Sequence, residues 1–239
     1  MLTTNAYAVV PFHLGDDRFA SDGHRLAVLA GELCRGVADE CGVRVAGCLP
    51  PSLGSYRPET FQPDAARRIL DVLVEAQAPY VDVWLAETMS SLAEAEMAAS
   101  AIAMSGSSAP VWISFTVDDH DGSRLRSGES VADAVRSAEV AGAAAVLFNC
   151  SRAEAMGDAV RVATETGSLP VGVYPNLFDE ISEDDDANEI VHEARQDASE
   201  DAFAIWADEW LAAGASIVGG CCGTTARHIS ALSAHLSAS

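Results

Sequence analysis

The sequence predicts a parallel α/β fold of the (β/α)8 barrel type, on three observations. First, seven short runs rich in valine and isoleucine alternate with seven longer amphipathic runs. Second, polar and reactive residues stand at the C-terminal ends of several different runs: Glu87 with Thr88, Asn149 with Cys150, Tyr174 with Asn176, and Cys221 with Cys222. Side chains gathered in this way mark the mouth of a barrel. Third, no Gly-x-Gly-x-x-Gly follows the first run and no P-loop is present, so a doubly wound nucleotide fold has no support. A complete barrel needs eight strands; the sequence supplies seven, so the expectation is a barrel lacking one β/α unit, as one domain over residues 1–239.

The strand-like runs are 6–12, 43–49, 80–86, 111–117, 144–150, 170–174 and 216–219. They are mostly continuous rather than alternating in hydropathy, as strands buried on both faces are. The helix-like runs are 25–40, 64–76, 91–104, 131–141, 152–166, 203–213 and 226–236. Their apolar residues recur at three and four spacing, as in Ile69, Leu70, Leu73 and Val74. The longest connection, 178–202, carries eleven acidic residues from Asp179 to Asp201 against the single Arg195. It follows a strand and so belongs to the mouth, either as an acidic lid or as a solvated loop in a chain that is acidic throughout.

Composition narrows the function. Fourteen basic residues, all arginine, stand against 36 acidic ones, a net charge of −22. That balance excludes an electrostatic grip on nucleic acid or an anionic membrane as the default role. The absence of lysine fits a high-salt cytoplasm or a GC-rich coding bias equally well. No apolar run reaches transmembrane length and the start lacks a basic, then apolar, leader, so the expected location is the cytoplasm.

Six cysteines are too sparse for a disulfide scaffold and, in a reducing compartment, read as ligands or nucleophiles. Cys34 and Cys41 on a helix and Cys48 within a strand read as small hydrophobes. Gly219-Gly220-Cys221-Cys222-Gly223 is different. Adjacent cysteines on a regular strand point to opposite faces, but flanking glycines permit both sulfurs to turn one way. With Cys150 at another strand end, three thiolates converge on the mouth. Three protein ligands and one open position make a catalytic zinc site; a redox disulfide or an inert thiol pair is the alternative for the adjacent cysteines alone.

Asn149-Cys150, followed by Gly-Gly-Cys-Cys-Gly-Thr-Thr-Ala-Arg-His-Ile from Gly219 to Ile229, resembles the zinc-dependent homocysteine S-methyltransferases. Further similarity lies in Thr4-Asn5-Ala6-Tyr7, in Leu49-Pro50-Pro51 to Tyr56, in Glu87-Thr88 with Glu94-Ala95, and in Tyr174-Pro175-Asn176. Two departures stand out: Ala226 replaces a frequent proline, and the family's first strand and helix have no counterpart before Met1. The resemblance implies zinc on Cys150, Cys221 and Cys222, and methyl transfer from a small onium donor such as S-methylmethionine or betaine to homocysteine, giving methionine. It implies that Glu87 takes the substrate amino group. Thr88 and Asn176 are candidate contacts for its carboxylate, with Arg57 and His120 as weaker ones. Tyr7, Trp84 and Tyr174 are candidate aromatic faces for the donor cation. His228 reads as a packing or capping residue. The alternatives are a zinc–thiol binding protein without turnover, and a partial barrel completed by homo-oligomerisation.

Overall fold

The computed structural model describes residues 1–178 and 193–238. Its strands are β1 (Leu2–Thr3), β2 (Val45–Leu49), β3 (Val83–Met89), β4 (Val111–Phe115), β5 (Ala145–Arg152), β6 (Val171–Asn176) and β7 (Ile217–Val218). Among the described residues they form one parallel sheet in the order β1 to β7, each paired with its sequence neighbours. The sheet curls: the phenol of Tyr174 on β6 reaches across the interior to the carboxylate of Glu87 on β3, 3.3 Å away. No β1–β7 pairing closes it, so the described residues make a barrel-like arc rather than the full barrel.

Helices follow the strands: α1 (Pro11–Leu14), α2 (Asp16–Cys41), α3 (Pro63–Gln77), α4 (Leu92–Met104), α5 (Val131–Val140), α6 (Ala153–Thr166), α7 (Glu200–Ala212) and α8 (Ala226–Ala238). Their starts carry visible signals. Ser91 and Glu94 form a reciprocal capping box on α4, and Ser130 and Ser199 cap α5 and α7. The main core lies between the outer sheet face and these helices, with Trp84, Phe115, Phe148, Leu70, Leu73, Phe203 and Trp210 fully or almost fully buried. A smaller inner cluster, Ala46, Val83 and Leu85 against Trp112 and Tyr174, fills the base of the arc.

The expected first strand at 6–12 is corrected. The strand is Leu2–Thr3; Ala6 and Val9 instead donate their N–H groups to Thr4 and Ala6 carbonyls in tight turns. Pro11, which has no N–H to give a ladder, opens α1. Ala6, Val9 and Val10 are buried, so the apolar run reported burial and not extension. The first long helix also begins earlier than expected, at Asp16, with Asp16 and Asp17 complementing its N-terminus. Of the acidic connection at 178–202, the stretch 179–192 lies outside the described residues. Arg195 pairs with Glu154 and Asp197 and stacks on Trp206.

Candidate active site

Cys150 sits where β5 breaks register with β6, between Asn149 and Arg152, in a left-handed backbone (φ 54°). Cys221 and Cys222 follow β7. The Cys221 N–H donates to the Pro175 carbonyl and the Cys222 carbonyl accepts from Leu177, so the pair leaves the ladder and is tied to the end of β6. Gly223 (φ 75°) completes the turn; a Cβ there would lie 3.1 Å from the Leu177 backbone. The Sγ atoms of Cys150 and Cys222 are 3.5 Å apart and those of Cys221 and Cys222 3.9 Å apart. Two sulfurs on tetrahedral zinc at ~2.3 Å are about 3.8 Å apart, so the spacing fits one ion. Cys150 is buried, whereas Cys221 and Cys222 are half-buried, which leaves a side from which a fourth ligand can approach.

The three sulfurs share charge. Cys222 is drawn down to about 4, because Cys150 and Cys221 both donate to it. Cys150 is pushed up to about 12: a hydrogen bond with Cys221 draws it down, but donation to Cys222 and burial outweigh that. Hydrogen bonding to Cys150 and Cys222 likewise pushes Cys221 up. One thiolate held between two thiols is a donor set from which a dication displaces two further protons.

Glu87 lies on the inner face, 8% exposed. Burial pushes its carboxyl up to about 7, against hydrogen bonds from Cys48 and Tyr174 that lower it. No arginine forms an ion pair with it among the described residues, so its carboxylate is left uncompensated. Cys48, expected to be a plain core residue, is therefore a neighbour of the site. Strand parity decides this: Cys48 shares the inward face with Ala46, while Trp84 alternates outward from Val83, Leu85 and Glu87. Trp84 accordingly faces the helices, its indole N–H donating to Ser107 at 2.9 Å, and presents no surface to the mouth.

Thr88 is the second left-handed residue (φ 63°). Its N–H donates to Asn149 Oδ1 at 2.9 Å and its hydroxyl accepts from Asn149 Nδ2 at 2.8 Å. Ser114 also donates to Asn149 Oδ1, at 2.7 Å. This fully buried knot fixes the strand ends that carry Glu87 and Cys150. Tyr7 shares a hydrogen bond of 2.6 Å with Ser55, and burial holds its phenol well above its usual pKa. Asn176 accepts from the Phe178 N–H at 2.9 Å. The Arg57 guanidinium lies 5.5 Å from the Phe12 ring centroid, and His120 stands in the turn after β4 with its N–H on Asp118. His228 accepts from Thr225 N–H at the start of α8 and meets the Ala198 carbonyl with its other nitrogen, the capping role expected of it.

Sequence reasoning missed Tyr56, the third left-handed residue (φ 64°), whose phenol donates to Cys150 Sγ at 3.0 Å. Its signal was a place at the end of the segment from Leu49 to Tyr56 that resembles the family.

A model of the homocysteine S-methyltransferase family matches residues 1–236. Homocysteine S-methyltransferase 2 of Arabidopsis thaliana is 32% identical over 170 residues, covering 71% of this chain and 48% of that protein. Selenocysteine methyltransferase of Astragalus bisulcatus is 28% identical over 175 residues, covering 72% and 48%. The chain thus spans about half the length of the curated relatives it matches. The metallated form of the homocysteine methyltransferase MmuM from Escherichia coli shares the fold, with a TM-score of 0.74 at 24% identity over 97% of this chain and 78% of that one. Its apo form gives 0.70 at 25% identity over 90% and 75%. With the family's pattern running through nearly all of its residues, this chain belongs to the homocysteine S-methyltransferase family.

Proposed function

We propose that the chain, acting as one barrel-type domain, moves a methyl group from a small onium donor of the S-methylmethionine or betaine type to homocysteine, giving methionine. The observation that carries this is the trio of Cys150, Cys221 and Cys222 at zinc-like spacing beside the buried Glu87. Zinc bound there would supply a Lewis acid that stabilises the substrate sulfur as thiolate near neutral pH, where a free thiol of pKa about 8.5 is mostly protonated. Glu87 takes the substrate ammonium, and that contact holds its carboxylate in the charged form. Thr88 and Asn176 border the substrate carboxylate, and Tyr7 and Tyr174 offer ring faces to the donor cation. The substrate sulfur attacks the methyl carbon in line. A carbon–sulfur bond forms, and the old methyl bond breaks with its electron pair leaving on a neutral sulfide or amine, so no side chain has to deliver a proton.

The test is zinc content and methionine formation in protein purified reduced and without a metal-binding tag. The parent should hold close to one zinc per chain and Cys222→Ser should lose it; a parent with no zinc would sink the reading. Among the described residues β1 and β7 each keep one unpaired edge, which favours a second reading, in which another copy completes the barrel before turnover. A dimeric mass at working concentration, with activity that falls on dilution, supports that version. The cytoplasm is the proposed location, where such thiols stay reduced; among the described residues no helix is long and apolar enough to cross a membrane.

A further inference from the structure

We infer that Tyr56 is a positioning residue for the Cys150 sulfur, and that Arg126 sets the strength of its hydrogen bond. Tyr56 donates to Cys150 Sγ at 3.0 Å from a backbone in the left-handed region, a conformation costing about 1 kcal/mol or more in a residue with a Cβ. Its surroundings hold it there. The Arg126 guanidinium lies over the ring, 4.6 Å from its centroid, and the Arg126 side chain is only 6% exposed. That side chain is pinned in turn, its Nε donating to Thr116 Oγ1 at 3.1 Å and its terminal nitrogen to Asp119 Oδ2 at 2.9 Å.

The same connection between β4 and α5 grips Cys150 from its other side. Asp119 Oδ1 accepts from the Arg152 N–H at 2.7 Å. The Thr116 and Ser151 hydroxyls are 3.0 Å apart, and Ser151 bonds both the N–H and the carbonyl of Val117. One loop therefore fixes the backbone that follows Cys150 and, through Arg126 and Tyr56, its sulfur as well. A cation on the ring face draws density from the ring and makes the phenol a stronger donor. A stronger donor takes more charge from the sulfur, which leaves any ion held there a better Lewis acid. A plain ion pair between Arg126 and Asp119 would need no tyrosine between itself and a ligand.

This inference rests on the three-cysteine metal centre proposed above, and the test separates the two. The full chain, purified reduced, is loaded with cobalt(II) as an optical probe, and zinc affinity is read by chelator competition. Parent, Tyr56→Phe, Arg126→Met and the double variant are compared. Tyr56→Phe should bind zinc about tenfold more weakly, because the Cys150 sulfur is no longer held in place, and should move the sulfur-to-cobalt charge-transfer band to longer wavelength as charge returns to the sulfur. Arg126→Met should move the band the same way by less, and the double variant should match Tyr56→Phe alone, because Arg126 acts through the ring. If Tyr56→Phe does not fold, the Arg126→Met band decides. Variants that keep the parent band and affinity, or losses that simply add in the double variant, overturn the inference while leaving the centre intact. A parent that takes up neither metal overturns the centre and the inference with it.

Discussion

Glu87 carries two opposed demands in one side chain. Its carboxyl is raised from 4.5 to about 7 by burial, so the fold bears the cost of its charge. Because the folded value lies above the unfolded one, this group's contribution is fully present below pH 4.5 and is lost as pH climbs through 7. The span corresponds to on the order of 3 kcal/mol. Glu87→Gln should therefore make metal-free protein more stable than the parent at pH 8, with the gap closing towards pH 4.5; urea unfolding at both values measures it. The same variant should raise KM for homocysteine about tenfold or more while zinc content stays unchanged, since only the ammonium contact is lost. At this scale the cysteines and Glu87 were legible, because their chemistry is written in residue type and strand-end position. Tyr56 and Arg126 were given no role, and Asn149 was read only as the strand-end neighbour of Cys150. Each acts through a partner far away in sequence, such as the 94 residues separating Tyr56 from Cys150.

Elements hold the mouth through their irregular ends rather than their regular middles. The three described non-glycine residues with positive φ, Tyr56, Thr88 and Cys150, all border the site, and Gly223 closes the turn that carries the other two sulfurs. Gly223→Ala, left-handed and crowded by Leu177, should cost about 1–3 kcal/mol in urea unfolding and weaken zinc retention in parallel. Periodicity read most helices and the central strands within a few residues. It failed at 6–12, where Val9, Val10 and Phe12 supplied the β-like composition but Pro11 and the turn hydrogen bonds decided the outcome. It missed about the first two and a half turns of α2 because Asp16–Gly23 is polar enough to read as loop.

For the molecule as a whole, the net charge of −22 acts on every element at once. Like charges on a folded surface repel more than on an expanded chain, and salt shortens their reach from about 10 Å at 0.1 M to about 3 Å at 1 M. Thermal melting should therefore shift upward by several degrees between those conditions; a melting point unmoved or lowered by salt would show that local ion pairs dominate instead. The alternation of strand and helix made the parallel α/β class legible from sequence, while the curvature of the arc depends on side chains that meet across its interior. The Tyr174–Glu87 bond is such a meeting, running from the sixth strand to the third. In an arch, a tie between the flanks fixes the span. Here the tie ends on the carboxylate proposed to hold the substrate's amino group, while the sulfurs flank the sixth strand, one on the fifth strand and two just beyond the seventh. The radius of the sheet thereby becomes a gauge of length, and an amino acid whose chain is one methylene too long or too short would have to bend the arch to be held at both ends.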